Sequence, residues 1–250
     1  MGLVRRENQD AYGMFPELGL YLVADGVGGH VGGRVASEMV VEATHRALAA
    51  GEPGNDASGV DRRLLAAVQQ AHRRVREARQ DGAQPGMGST VAAVLFDRHH
   101  GQVAICHAGD SRVYRVRAAA LEQLTDDHTL VHEWVTEGKI TAEDAASSPH
   151  RHIITQAVGT KETLAPSLRL ERLLVGDVFV LTSDGIHDLV GPGEIADAVR
   201  AAGDDLERAC ARLIELANEH GGKDNSTTVV LRCHAPETTA RREEKSTLPA

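Results

Sequence analysis

The pattern of apolar and polar residues changes its period several times along the chain. A continuous apolar run at residues 20–24 is typical of a buried strand. Apolar residues then recur at four-residue spacing over 34–49, and along one face over 61–79, which predicts two amphipathic helices. From residue 89 the pattern is that of strands, at 89–96, 102–108 and 112–117, joined by short turns. These three strands predict an antiparallel meander.

The second half of the chain mixes both patterns. Helices are predicted at 130–137, 142–146, 194–201 and 206–220, and strands at 168–173, 178–182 and 226–232. Antiparallel strands with blocks of helices between them indicate an α+β fold. Without an internal repeat or a second hydrophobic core, we expect one domain at 1–234. The tail at 235–250 has no periodicity and is expected to be disordered.

Composition narrows the classes of partner. The net charge of −9 disfavours nucleic acid and allows a cluster of carboxylates that binds cations. No apolar run approaches the roughly 20 residues that span a bilayer, so we expect no membrane partner. The three cysteines are widely spaced and odd in number, which favours a reducing cytoplasm over a disulfide framework.

The stretch at 20–33, LYLVADGVGGHVGG, combines a buried strand with a possible site. The strand ends at Asp25-Gly26 and is followed by four more glycines. An aspartate at the mouth of a buried strand, beside a freely rotating backbone, suggests a metal or phosphate site. Alternatively, Asp-Gly simply makes a tight turn. A dinucleotide fingerprint is excluded, since it would need glycine in place of Val31, and no P-loop lysine follows.

Three more aspartates lie at strand ends, beside flexible or polar residues: Asp110, Asp184 and Asp224. Two like charges about 4 Å apart repel by roughly 4 kcal/mol at an effective dielectric of 20, so converging carboxylates must take up protons or cations. Ligands that are all oxygen favour magnesium or manganese over zinc. The alternative is that each aspartate caps its own turn.

Eight segments in order carry a family resemblance: RRENQDAYG, LYLVADGVGGHVGGRVAS, GMGSTVAAVLF, CHAGDSRVYR, LTDDHTLV, ITQAVG, VLTSDGIHDLV and GGKDNSTTVVL. Together they resemble the bacterial metal-dependent serine/threonine protein phosphatases of type 2C, the PPM family, over residues 5–231. The resemblance implies a central sandwich of two antiparallel β-sheets flanked by α-helices on both faces. The family usually has a further strand before its N-terminal arginine, so we expect one sheet to lack that strand.

The resemblance also implies a metal centre of two or three Mn²⁺ or Mg²⁺ ions. Asp25 resembles the aspartate that bridges the two catalytic metals, and Gly26 would supply a backbone carbonyl. Asp184 and Asp224 match the remaining ligands of the second metal. Asp110 matches the aspartate that, with Asp184, helps to hold a third and weaker metal.

Other positions match catalytic residues of the family or depart from them. Asp10 resembles the aspartate that orients metal-bound water, and Arg5 the arginine that clamps the substrate phosphate. Asn225 is expected to support the Asp224 loop. Gln9 replaces a common glutamate, and Val27 replaces a histidine proposed as general acid in eukaryotic relatives, so no side chain is assigned that task.

The implied function is hydrolysis of phosphoserine and phosphothreonine by direct attack of a metal-bridging water. The implied partners are phosphorylated proteins, targets of a serine/threonine kinase, and the chain is expected to be a cytoplasmic monomer. The alternative is a catalytically weak regulatory module of the same fold that binds phosphoproteins. The complete aspartate set favours the enzyme, whereas the missing strand favours the module.

Several histidines, serines and cysteines allow other chemistry. His128 and His132 are four residues apart at a predicted helix and could share zinc, but a solvated helix face is the better interpretation. The segment at 150–152 could contact substrate, although ordinary surface is favoured. Cys106 is expected to be an inert core thiol. Two serines, Ser89 and Ser111, lack a paired histidine, which disfavours a covalent serine mechanism.

Overall fold

The computed structural model describes residues 1–28, 30–51, 59–80 and 86–234. The predicted tail at 235–250 lies outside the described residues. The strands are β1 (Asp10–Phe15), β2 (Leu20–Val27), β3 (Gly88–Ser89), β4 (Val91–Asp97), β5 (Gln102–Ala108), β6 (Arg112–Arg117), β7 (Ala120–Gln123), β8 (Ser167–Arg172), β9 (Val178–Thr182) and β10 (Thr228–Arg232). The helices are α1 (His30–Ala49), α2 (Val60–Gln80), α3 (Leu130–Thr136), α4 (Ala142–Ser147), α5 (Asp184–His187), α6 (Pro192–Ala202) and α7 (Leu206–Glu219).

Two antiparallel sheets pack face to face. The first has the order β1-β2-β4-β5-β8, with β3 paired to β2, and the second has the order β10-β9-β6-β7. Helices α1 and α2 cover the outer face of the first sheet. The outer face of the second sheet packs against α6 and α7. The predicted α+β sandwich flanked by helices on both faces is therefore confirmed.

The continuous apolar runs follow from burial on both faces of the first sheet. In β4, the side chains of Val91, Ala93 and Leu95 pack under the helices. Ala92 and Val94, which alternate with them, point into the layer between the sheets. A strand that faces protein on both sides has no polar face, so its sequence reads as an unbroken apolar run.

The predicted meander is wrong at its third strand. Strands β4 and β5 pair as expected, but β6 leaves the first sheet and pairs with β7 and β9 in the second. The connection turns at Gly109, which has φ +104°, and a Cβ there would lie 2.6 Å from Cγ2 of Thr90. A short glycine turn fits a hairpin or a crossover equally well, and the packing of the strand ends selects the crossover.

Three short elements were absent from the sequence prediction: β1, β7 and α5. Strand β1 is an edge strand whose Tyr12 and Met14 are more than half exposed, so it lacks a plain apolar pattern. The single turn of α5 is too short to show a helical period.

His128 was also placed wrongly, because α3 begins only at Leu130 and Thr129 caps it. No helix in the described ranges is long and apolar enough to cross a bilayer.

Candidate metal centre

A cleft of about 330 Å³ opens where strand ends of both sheets meet. It contains the four predicted aspartates, the predicted backbone ligand and the predicted phosphate-binding arginine: Asp25, Asp110, Asp184, Asp224, Gly26 and Arg5. Residues from β2, from the turn after β5, from α5 and from the loop before β10 are thus brought together. These residues are far apart in sequence, and they meet because the chain crosses from the first sheet to the second at β6.

The backbone of Asp25 is held by the connection between β3 and β4. Its N–H donates to Oγ1 of Thr90 at 2.9 Å, and its carbonyl accepts from the Thr90 N–H at 2.8 Å and from Oγ of Ser89 at 2.9 Å. Oγ of Ser111 lies 2.7 Å from Oγ1 of Thr90 and extends the same network. These hydroxyls serve the backbone, so the Asp25 carboxylate remains available to the cleft.

Close approach of α1 requires glycine beside Asp25. A Cβ at Gly26 would lie 2.1 Å from the carbonyl oxygen of Gly33 in α1. The Gly26 N–H donates to the Gln9 carbonyl at 3.1 Å, which joins this point to the N-terminal segment. The glycines of this loop let strand, helix and N-terminal segment meet at the end of β2.

Asp184 is the first residue of α5 and lies against Asp25. Its Oδ1 is buried without a hydrogen-bond partner, and its charge acts on the Asp25 carboxyl. The next residue, Gly185, packs against the loop that carries Asp224, because a Cβ there would lie 1.9 Å from the Asn225 carbonyl oxygen. Two expected ligands are thereby held at one corner of the cleft.

We expect Gly185→Ala to lower the free energy of unfolding by about 3 kcal/mol, because the contact is with rigid backbone. Gly193→Ala is the matched control, since its Cβ would meet nothing within 4 Å in helix α6. Removing a helical glycine should stabilise the protein by roughly 0.5–1 kcal/mol. Urea denaturation of both variants measures the difference. Equal stabilities would contradict the tight packing at Gly185.

Asp10 lies behind Asp25, at the start of β1. Ser183 Oγ donates to its Oδ2 at 2.7 Å. Its Oδ1 is buried and has no hydrogen-bond partner. Burial is the main cause that raises the pKa of Asp10. The Ser183 contact could not be read from the sequence, since it spans 173 positions.

The electrostatics of the cleft favour cations. Burial, followed by the charges of Asp184, Asp10 and Asp110, raises the pKa of Asp25 well above its ordinary value. Asp184 is shifted in the same direction, by burial and then by neighbouring carboxylates including Asp110. Burial is also the main reason that the pKa of Asp110 rises to about 6. Crowded, partly unpartnered carboxylate oxygens fit hard divalent cations such as Mn²⁺ or Mg²⁺.

Arg5 stands at the mouth of the cleft. Its Nη2 donates to Oδ2 of Asp224 at 2.5 Å, and about half of its side chain is exposed. The supporting contacts come from Asn225, whose Nδ2 donates to the carbonyls of Met1 and Glu7 at 3.1 and 3.0 Å. Asn225 is buried, and it holds the N-terminal segment as well as the Asp224 loop that it is expected to support.

The turn that carries Asp110 is clamped by His128. The Gly109 N–H donates to Nδ1 of His128 at 3.3 Å, and the His128 N–H donates to the Gly109 carbonyl at 2.9 Å. The ring stacks on His107 with a centroid distance of 4.6 Å, and burial lowers the pKa of His128 to about 4. His128 is therefore neither on a solvated helix face nor paired with His132 on a metal.

Sequence reasoning missed Asp188 and gave His152 only a possible contact with substrate. His152 lines the cleft. Together with Asp184, these two residues offer ligand atoms that all lie within 4.8 Å of one another. The available signal was the spacing from Asp184 to Asp188, since residues four apart share one side of a helical turn.

Comparison with known proteins agrees with the sequence resemblance. Residues 5–228 match the sequence model of the family described as protein phosphatase 2C. The chain belongs to the protein phosphatase 2C family. This phosphatase 2C chain is 38% identical over 232 residues to the serine/threonine protein phosphatase PstP of Mycobacterium tuberculosis. That match covers 92% of the chain and 43% of the relative, so the chain spans less than half of that protein's length.

Two further matches span almost the whole of their partners. Protein phosphatase PhpP of Streptococcus pneumoniae is 32% identical over 237 residues, with 92% of this chain and 94% of PhpP covered. The solved catalytic domain of PstP, in complex with two manganese ions, superimposes with a TM-score of 0.80 at 34% identity. That superposition covers 94% of this chain and 95% of the solved one.

Proposed function

We propose that this chain is a metal-dependent phosphoprotein phosphatase that hydrolyses phosphoserine and phosphothreonine. One observation carries the proposal: four aspartates and an arginine, distant in sequence, line the same cleft. The named relatives, which are serine/threonine protein phosphatases, support the same reaction. The acidic set that the enzyme needs is complete in the cleft, which disfavours the alternative of a binding module.

The residues that would hold the metals are those that the resemblance indicates. Asp25, Asp184, Asp224 and the Gly26 carbonyl suit a pair of Mn²⁺ or Mg²⁺ ions, and Asp110 with Asp184 suits a third. The unpartnered buried Oδ1 of Asp184 supports this assignment, since a buried anionic oxygen needs a counterpart. When bound, such ions lower the pKa of water to make a nucleophile and neutralise charge on the transferring phosphoryl group.

The side chains around the metals have separate tasks. Arg5 binds the phosphate oxygens of the substrate with its forked guanidinium and gives up its contact with Asp224 to do so. Asp10 lies opposite Asp25 in the pairing of β1 with β2, and it would orient water of the metal centre, as the resemblance implies. Val27 lines the cleft with methyl groups only, so it cannot supply the proton for the leaving alkoxide.

The test of the proposal is turnover of a phosphoserine or phosphothreonine peptide by the purified chain. Phosphate release is expected with Mn²⁺ or Mg²⁺ and not after chelation. Calorimetry with the same peptide distinguishes the binding module. Tight binding without phosphate release in excess Mn²⁺ would refute the enzyme and favour the module.

Replacing Arg5 is expected to weaken substrate use. A hydrogen bond to a charged group contributes about 1.5–3 kcal/mol, so Arg5→Ala should lower kcat/KM by roughly 10- to 100-fold, mainly through KM. Arg208→Ala on helix α7 is the control, since Arg208 lies outside the cleft. Steady-state kinetics with a phosphopeptide measure both. An unchanged KM for Arg5→Ala would show that phosphate binds elsewhere.

The proposed partners are phosphorylated proteins, the targets of a serine/threonine kinase, and we propose that the chain acts as a monomer in the cytoplasm, within cellular signalling. The compartment is supported by the cysteines, all three of which are free thiols in the structure. Cys106 is fully buried, and burial raises its pKa to about 12, as expected of an inert core thiol.

A further inference from the structure

A buried histidine of helix α2 holds a loop that comes from a distant part of the chain. His72 is only 3% exposed, and its Nδ1 accepts the Gly159 N–H at 3.0 Å across 87 positions of sequence. Its Nε2 lies 3.5 Å from the Glu162 carbonyl oxygen. A backbone N–H can only donate, so Nδ1 must be unprotonated and the imidazole neutral. Burial lowers the pKa of His72, which favours this neutral form.

The same side of α2 supports the whole loop at 156–164. Gln69 Nε2 donates to the Leu164 carbonyl at 3.0 Å, and Arg79 Nη1 donates to the Thr160 carbonyl at 2.7 Å. Positions 69, 72 and 79 are three and seven residues apart, so they share one side of the helix. The helix therefore presents a row of polar side chains that bind the backbone of this loop.

The loop in turn holds the short strand β3, which lies beside the expected metal ligands. The Val158 N–H donates to the Ser89 carbonyl at 2.8 Å, and the Ser89 N–H donates to the Val158 carbonyl at 3.1 Å. On its other side Ser89 pairs with Gly26, and its Oγ donates to the Asp25 carbonyl at 2.9 Å. Strand β3 has only two residues and is too short to hold its place alone. Its position depends on the loop as well as on β2.

Loss of the loop contact would leave backbone groups of β3 without partners. Ser89 is fully buried, and a buried donor or acceptor that loses its partner costs about 1–3 kcal/mol. Strand β3 would shift to regain hydrogen bonds, and Gly26 would shift with it because the two strands are paired. Metal sites respond strongly to such changes, since loss of a supporting group typically costs about 10- to 100-fold in metal affinity or activity.

We propose that His72 is a positioning residue of the metal centre, which holds the loop at 156–164 against β3 and so fixes Asp25 and the Gly26 carbonyl. The inference rests on the proposed function, because these two groups are expected metal ligands of that cleft. The competing interpretation is simple packing, in which His72 only fills space beneath α2. The two interpretations differ in the replacement that they tolerate.

The test compares His72→Asn with His72→Leu in the full chain. Asparagine has a carbonyl oxygen near the position of Nδ1 and can accept the Gly159 N–H, whereas leucine keeps the volume and accepts nothing. Leu64→Ala, at a fully buried position two turns earlier in α2, is the control for lost stability alone. Titration calorimetry with Mn²⁺ gives the metal affinity of the folded protein. Amide hydrogen exchange of the metal-free protein reports on β3 directly.

We expect His72→Leu to lower the affinity of the tightest manganese site by at least about tenfold. In the metal-free protein it should speed amide exchange at Val158 and Ser89 by about tenfold or more, which corresponds to the loss of one buried hydrogen bond. His72→Asn should stay close to the wild type in both measurements. Leu64→Ala should lower the melting temperature and leave the manganese affinity unchanged.

A second variant, Arg79→Met, covers the case in which His72→Leu does not fold. Arg79 is only partly buried and donates to the same loop, so its replacement should lower the manganese affinity by a smaller factor. Wild-type affinity in the folded variants would overturn the proposal, as would a His72→Asn variant that binds as weakly as His72→Leu. Either result leaves the proposed function standing if the wild type binds manganese and hydrolyses phosphopeptide. A wild type that binds no manganese would overturn both.

Discussion

Asp184→Asn is expected to abolish metal-dependent turnover and, at the same time, to stabilise the metal-free protein. A bound metal contributes several kcal/mol to transition-state stabilisation, so its loss should lower kcat by at least about 10³-fold. Asp25→Asn should behave in the same way, because Asp25 lies in the same cleft and the charge of Asp184 raises its pKa. Phosphate release at saturating Mn²⁺ measures the first effect.

The same substitution is expected to raise the stability of the metal-free protein while it abolishes activity. In the metal-free protein, Asp184→Asn removes one of several crowded buried carboxylates, whose mutual repulsion amounts to a few kcal/mol at an effective dielectric of 20. The melting temperature without metal should therefore rise by roughly 5 °C at pH 7.5. Asp197→Asn on the exposed face of α6 is the control and should change neither quantity.

A variant that is inactive but more stable would show that Asp184 serves a binding site and is not required for folding. Were Asp184 needed only for folding, its replacement would lower activity and melting temperature together. Turnover by Asp184→Asn that survives chelation of the metal would refute the proposed function outright.

Manganese is expected to stabilise the chain strongly at pH 7.5 and weakly at pH 5. At 1,000 times its dissociation constant, a ligand adds about 4 kcal/mol to the unfolding free energy. For a domain of this size that corresponds to a rise in melting temperature of roughly 8–16 °C. Calorimetric scans with and without Mn²⁺ at the two pH values measure the effect.

The pH dependence follows from the raised pKa values in the cleft. Asp110 has a pKa of about 6 in the fold and an ordinary value of 3.8, and Asp25 and Asp184 are raised well above theirs. At pH values between the ordinary pKa of each group and its pKa in the fold, the folded state holds more protons than the unfolded state. The stability that these groups contribute is present below the ordinary value and is lost as the pH rises through the folded pKa. For Asp110 alone the loss is up to about 3 kcal/mol.

Protons and manganese therefore compete for the same carboxylate oxygens. The metal should stabilise the fold most at pH values at which these carboxyls have lost their protons. Burial lowers the pKa of several histidines, among them His107 and His128, and these act on stability in the opposite direction. They do so with and without metal, so the difference in melting temperature isolates the carboxylates. An equal manganese shift at pH 5 and pH 7.5 would contradict the assignment of these carboxylates to the metals.

Much of the architecture could be predicted because its signals are local. The unbroken apolar runs of β2 and β4 reflect burial on both faces, and the four-residue period of α1 and α2 reflects one buried face. Elements without such a pattern escaped prediction. Strand β7 is an exposed edge, and α5 is shorter than the period needed to detect it.

The candidate site was predictable only as a set of residue types. Aspartates followed by glycine, at strand ends, are visible in the sequence as Asp25-Gly26 and Asp184-Gly185. Nothing local shows that these ends meet, because the meeting depends on β6 crossing to the second sheet. The family resemblance supplied that expectation, and the geometry of the cleft agrees with it.

By itself, the sequence determined the alternation of strands and helices, the acidic character of the chain and the identity of the aspartates in the cleft. The tertiary structure alone decided that Asn225 binds the N-terminal segment, that His128 clamps the Gly109 turn, and that His152 reaches Asp188. The physical reason is the distance along the sequence between the residues that interact. Hydrophobic periods are properties of neighbouring residues, whereas these contacts join segments whose approach is set by the packing of two sheets.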